Sequence, residues 1–162
     1  LFKLKGNKLI SFFFITLCIQ IIYGAFVAGL DAGLTHNTFP KMGRHWIPLS
    51  FNLNSFFNGD IFNHIVIIQF IHRSIGWILC FLGIGLLLKL KNLKDSKQRN
   101  AIGMSLIVLV IQFALGVSTL LLYIPISLAS MHQMGALVLF VLSVRAIFFA
   151  FTDSDQLSKK SL

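Results

Sequence analysis

Acidic side chains are nearly missing from this 162-residue sequence, which holds five, all aspartate, against fourteen lysines and arginines. None of the five lies inside an apolar run, so no carboxylate there is ready to act as general acid or base within a membrane. Cysteine is scarcer still. Cys18 and Cys80 both fall in apolar runs, which argues against a secreted-type disulfide framework and leaves them as small packing residues. The start lacks a charged segment, short apolar stretch and small-residue cleavage site in signal-peptide order. The first apolar run, about 20 residues long, has the length of a membrane span instead. Leu1 stands where a methionine would begin a chain, and the sequence is therefore expected to be part of a longer one.

What is abundant is apolar surface. Hydrophobic residues make up 56% of the chain and charged ones 12%, with a mean hydropathy of +0.83, values that belong to a polytopic membrane protein. The net charge of +9 does not indicate a nucleic-acid partner, because the basic residues sit in short segments between apolar runs and no soluble basic domain exists to carry the contacts.

Four spans follow from length and composition: residues 9–30, 61–88, 101–123 and 126–151, the last beginning after Pro125. At 1.5 Å per residue, the shortest of them still approaches a hydrocarbon core of roughly 30 Å or exceeds it. Lys3, Lys5 and Lys8 precede the first span. Lys89, Lys91, Lys94, Lys97 and Arg99 join the second to the third, and Arg145, Lys159 and Lys160 lie at the far end. The long connection 31–60 has only Lys41 and Arg44, and the turn at 123–125 has no basic residue. The positive-inside rule then predicts both termini in the cytoplasm and the long loop outside. That loop is too long to be a plain connector and is expected to pack over the outer mouth of the bundle. Trp46, Phe51, Phe56 and Phe57 suit an interfacial belt or a short surface helix. Its histidines, His36, His45 and His64, lack tight metal-ligand spacing and read as solvated loop residues, with His64 nearest the mouth of span two.

A repeat runs through the spans. Ile19-Gln20-x-x-x-Gly24 in span one matches Ile111-Gln112-x-x-x-Gly116 in span three, and His72-Arg73-x-x-Gly76 in span two matches His132-Gln133-x-Gly135 in span four. The expected fold is an all-α four-helix membrane bundle of two similar hairpins about a pseudo-twofold axis along the membrane normal.

His72 and Arg73 are costly residues in a span, each worth roughly 2.5 kcal/mol or more at mid-bilayer, and such residues mark a function and need partners. His72 lies seven to eleven residues below the outer start of its span and His132 about six below its own, so both sit roughly 9 to 16 Å deep from the same side. Two neutral imidazoles facing each other across a bundle can take the two axial positions of a haem iron. Gly76, Gly135 and Ala136 share the histidine faces and leave room for a flat macrocycle, or for close helix contact of the kind that small-x-x-x-small pairs support. Zinc would want carboxylate or thiolate ligands at this depth, and there are none. Three destinations are open to Arg73: snorkelling outward, pairing with Asp31 or Asp60, or holding a haem propionate. Gln69, three residues before His72 on the same face, is placed to touch a haem edge or to hydrogen-bond across the bundle, but cannot trade a proton as a carboxylate does.

At these residues the chain resembles haem A synthase. The similarity is carried by Gly24-Ala25-Phe26-Val27-Ala28-Gly29-Leu30-Asp31-Ala32-Gly33, by Asn37-Thr38-Phe39-Pro40-x-Met42 and Trp46-Ile47-Pro48, and by Gln69-Phe70-Ile71-His72-Arg73 and His132-Gln133. Members have eight spans in two similar halves, and this sequence is similar to the C-terminal half. The resemblance implies a haem b held by His72 and His132, with Arg73 and Gln69 beside it, and an N-terminal half that binds haem O and carries the catalytic residues. That half has a glutamate three residues before its first ligand histidine, where this chain has Gln69. The implied reaction oxidises a porphyrin methyl group to a formyl group in two-electron steps, with water as oxygen source, making haem A for terminal oxidases. The implied surroundings are lipid, the N-terminal half or a second copy, and a haem O synthase, in a bacterial cell membrane or a mitochondrial inner membrane. The competing classes are a four-helix b-type cytochrome that only transfers electrons and a subunit without haem.

Overall fold

The computed structural model describes residues 8–52, 54–93 and 95–159, and their side chains except those of 55, 56 and 153–159. Leu1, Lys3, Lys5, Lys94 and Lys160, and the side chains of Phe56 and Lys159, lie outside that description.

Among the described residues the fold is all helix: α1 (Lys8–Gly29), a 3₁₀ turn (Ala32–Leu34), α2 (Asn54–Phe57), α3 (Asp60–Asn63), α4 (Ile65–Leu90), α5 (Ser96–Leu121) and α6 (Ile126–Lys159). Helices α1, α4 and α5 and the stretch Ile126–Thr152 of α6 are long and apolar enough to cross a membrane. The chain is an integral, multi-pass membrane protein.

Local chemistry sets the starts of two of the long helices. Asp95 starts α5, its carboxylate accepting from the amides of Lys97 at 2.9 Å and Gln98 at 3.3 Å, so this helix begins at Ser96, five residues before the expected boundary. Helix α4 begins at Ile65 and not near 61, because His64 is extended (φ −86°, ψ 109°) and separates it from the short turn α3. Lys89 in the last turn of α4 complements the negative end of the helix dipole. The last helix continues past the expected end at 151 to Lys159.

Helix α1 packs most extensively on α4, and α5 on α6, forming the two hairpins that the repeat implied; α4–α5 and α1–α6 contacts close the ring. Each helix turns one narrow seam inward. Ile10, Phe13 and Leu17 continue through Gln20 and Gly24 on α1; Gln69, His72, Gly76, Leu79, Gly83 and Leu86 form the seam of α4. On α5 it runs Gln98, Ile102, Ser105, Leu109, Gln112 and Gly116, and on α6 it includes His132, Leu139, Ser143, Ala146 and Ala150. Steps of three and four residues are the signature of nearly parallel helices meshing side by side.

The seam divides the bundle along its length. At the end remote from the long loop, Ile10, Phe13, Leu17, Leu86, Ile102, Leu106, Leu139 and Ala146 belong to a continuous apolar core. Buried Ser105 and Ser143 are satisfied within their own helices, donating to the carbonyls of Ala101 at 3.0 Å and Leu139 at 2.7 Å. Toward the loop, the same seams turn polar.

Candidate functional site

Two glutamines and two histidines, one of each per hairpin, interlock in that polar layer. The Gln20 amide nitrogen on α1 lies 3.3 Å from the His72 ring nitrogen Nε2 on α4. In the second hairpin, the Gln112 amide on α5 donates to the main-chain carbonyl of His132 on α6 at 2.8 Å. Glycines make the fit possible. A Cβ built on Gly24 would come within 3.2 Å of His72 Cε1, and one on Gly116 within 2.9 Å of His132 Cε1. Conversely, a Cβ built on Gly76 would lie 3.5 Å from the Gln20 amide nitrogen, and one on Gly135 2.8 Å from the Gln112 amide oxygen. In each hairpin, histidine of the second helix rests on glycine of the first, and glutamine of the first on glycine of the second. The room left by Gly76 and Gly135 is thus filled by glutamine.

His72 on α4 and His132 on α6 stand on helices that face each other across the ring. Nδ1 of both rings is buried with no hydrogen-bond partner, and so are the amide oxygens of Gln20 and Gln112. Buried polar atoms without partners are costly, and a pair of them on repeat-related imidazoles is what a bound metal or a polar ligand would resolve. No group of three or more His, Cys, Asp or Glu side chains assembles among the described residues. The donor set therefore fits an iron whose other four ligands come from a macrocycle and does not fit a bare ion held by protein alone.

Arg73 and Gln69 point to the long loop. Gln69 is buried; its amide oxygen accepts from the Thr35 hydroxyl at 2.9 Å, and its nitrogen donates to the carbonyls of Gly33 and His36, each at 3.2 Å. A haem-edge contact was one expectation for this residue, but its amide is fully engaged by the loop. Arg73 donates to the carbonyls of His36 at 3.3 Å, of Lys41 at 3.5 Å and of Thr38. It pairs with neither Asp31 nor Asp60 among the described contacts, leaving Nε buried and without a partner.

The loop gripped in this way has its own frame. Thr38 Oγ1 donates to Lys41 O at 2.8 Å and accepts from Gly43 N at 2.7 Å. Gly43 takes a left-handed turn (φ 64°) and a Met42–His45 bridge closes the segment. Phe39 stacks on Trp77 of α4 (5.8 Å, 13° between planes) and meets Phe113 of α5 edge-on at 5.9 Å. Asn37 bonds the Leu120 carbonyl at the end of α5, 3.0 Å away. Phe51 packs on Phe70 at 4.9 Å, while Trp46 and Phe57 stand exposed. His36 and His64 each keep a buried, unpartnered Nδ1.

Sequence reasoning singled out His72, His132, Arg73 and Gln69. The structure aims the two histidines into one interior and turns the other two toward the loop. The spacing rules do not single out Gln20 and Gln112 as partners of the histidines, although their matched Gln-x-x-x-Gly repeat was the available signal. Thr35 gave none, and Asn37 was marked only by the loop motif Asn37-Thr38-Phe39-Pro40-x-Met42.

Comparison with known proteins bears on what this interior is for. A family model described as cytochrome oxidase assembly protein, COX15-CtaA, matches residues 3–144. A protein named heme A synthase from Wolbachia of Brugia malayi is 41% identical over 142 residues, covering 85% of this chain and 40% of that protein. One of the same name from Nitrosospira multiformis is 42% identical over 123 residues, covering 75% and 35%, and one from Paracoccus denitrificans is 36% identical over 128, covering 79% and 34%. The chain thus spans no more than two-fifths of the length of these curated relatives. No solved structure matches it at a significant level. Four apolar helices in two matched hairpins, paired histidines and a family match over most of the sequence agree: the chain belongs to the COX15-CtaA family of cytochrome oxidase assembly proteins.

Proposed function

We propose that this chain is the haem b-binding, C-terminal four-helix half of a haem A synthase, the enzyme that oxidises the haem O methyl group to the formyl group of haem A. It forms one domain over residues 1–162, with both termini and the connection after α4 in the cytoplasm. The observation that carries the reading is the pair of repeat-related histidines sharing one interior, each with a buried ring nitrogen that lacks a partner. His72 and His132 would hold the haem iron between them, and a haem so held would pass single electrons. Arg73 and Gln69 serve the site through the loop that they hold across its mouth, and the apolar remainder of the seams excludes water. No carboxylate lies in the four membrane-crossing stretches, so proton transfer belongs to residues outside this half, together with haem O itself.

The same lack of carboxylates favours a second reading, a b-type cytochrome that only transfers electrons. An optical spectrum of the purified chain tests both. A low-spin haem signal is expected in the wild type and is expected to fall at least tenfold in His72→Ala and His132→Ala; a spectrum without haem, or one indifferent to both substitutions, overturns the two readings together. Conversion of haem O to haem A by the chain joined to its missing part, analysed by extraction of the pigments, separates the enzyme from the plain cytochrome.

A further inference from the structure

The glutamines that pair with the histidines are doing unequal jobs. In the first hairpin the side-chain contact is ring to amide: the Gln20 amide lies 3.3 Å from His72 Nε2, and with its otherwise unpartnered oxygen turned to the ring it accepts the Nε2 proton and leaves the Nδ1 lone pair free. In the second hairpin it is main chain to amide: Gln112 holds the His132 carbonyl, and the His132 ring lies against the bare face of Gly116. The glycine seats oppose sideways escape of each glutamine, since Gly76 lies against one amide and Gly135 against the other.

Resting on the haem reading above, we propose that Gln20 and Gln112 are the positioning residues of the two histidines and hold them differently. Gln20 sets the orientation of the His72 imidazole, whereas Gln112 sets the height of the His132 main chain. The physical ground is general. A ligand imidazole takes its tautomer and its rotation about Cβ–Cγ from the hydrogen bond made by the rest of the ring, and such outer partners tune both affinity and electronic character. A bond to the main chain fixes where a residue sits and leaves its ring free to rotate. The two histidines are therefore inequivalent, although the sequence repeat makes them look alike.

The test uses the full chain carrying its haem, and reads electron paramagnetic resonance, midpoint potential and the rate of haem transfer to apomyoglobin. Gln20→Leu, close in size and without the amide, is expected to retain haem but change the low-spin resonance. Gln20→Glu places an acceptor and a negative charge beside His72 and is expected to lower the potential. Gln112→Leu is expected to speed haem loss about tenfold or more, while the haem it retains keeps the wild-type resonance. Wild-type resonance and potential in both Gln20 variants overturn the proposal, as does a changed resonance in Gln112→Leu with none in Gln20→Leu. Should Gln20→Leu fail to accumulate, the potential of Gln20→Glu decides alone. Absence of low-spin haem in the wild type is a different result, which removes the haem reading and this inference with it.

Discussion

At the scale of single residues, glycine decides how near two helices come. The seats under the two histidines differ in how little room they leave for a methyl group: a Cβ at Gly116 would lie 2.9 Å from His132 Cε1, too close without a shift, one at Gly24 a tight 3.2 Å from His72 Cε1, and one at Gly103 meets nothing within 4 Å. Overfilling a packed interior costs about 1–3 kcal/mol. Gly116→Ala is accordingly expected to destabilise the bundle by about that amount and Gly24→Ala by less. Gly103→Ala, in an open helical position, is expected to be neutral or to stabilise by up to about 1 kcal/mol. Thermal unfolding in one detergent checks the order, and equal midpoints for Gly116→Ala and Gly103→Ala would contradict it. Arg73 teaches a second lesson. Its cost in a span was evident from its type, but the answer was a set of loop carbonyls that no spacing rule identifies.

Among the elements, the helices were legible and the loop was not. Apolar runs free of proline announce helices of membrane length, and their number and pairing followed from the runs and the repeat. The boundaries moved where a local bond outweighed hydropathy, as at Asp95 and His64. The inward faces stayed hidden because the helices are apolar all round; amphipathic contrast cannot mark a seam when the outward face is as oily as the core. Polar and small residues marked it instead. The loop's shape depends on contacts with residues about 30 to 80 positions away, which local sequence does not encode. Arg73→Gln removes donors to the Thr38, His36 and Lys41 carbonyls, at a cost of about 1–3 kcal/mol. The amides of Met42 and Gly43, bonded within the loop, are expected to exchange about tenfold faster or more. Amides of the apolar core near Leu106 and Leu109 are expected to keep their wild-type rates, and a uniform change across both regions would show that Arg73 supports the whole bundle instead.

For the molecule as a whole, the distribution of charge predicts how it lies in the membrane. Basic residues gather at the α4–α5 connection and are sparse in the loop, so Trp46 and Lys97, both exposed, belong on opposite faces. With Cys18 and Cys80 replaced, a cysteine at Trp46 is expected to react with an impermeant maleimide on intact cells, and one at Lys97 only after permeabilisation. The reverse pattern would invert the topology while leaving the fold intact.

The loop's reach to Leu120 has a mechanical consequence. The two hairpins are joined covalently through the short segment between Leu90 and Ser96 at one rim; the loop, with Asn37 on Leu120 and Phe39 packed on both Trp77 and Phe113, fastens them from the other side. A box hinged on one edge can swing open, but one latched on two cannot. Anything lodged between the histidines must therefore both break its bonds to the imidazoles and wait for the latch to lift, so loosening the latch shortens its stay even where its grip on the two rings is unchanged.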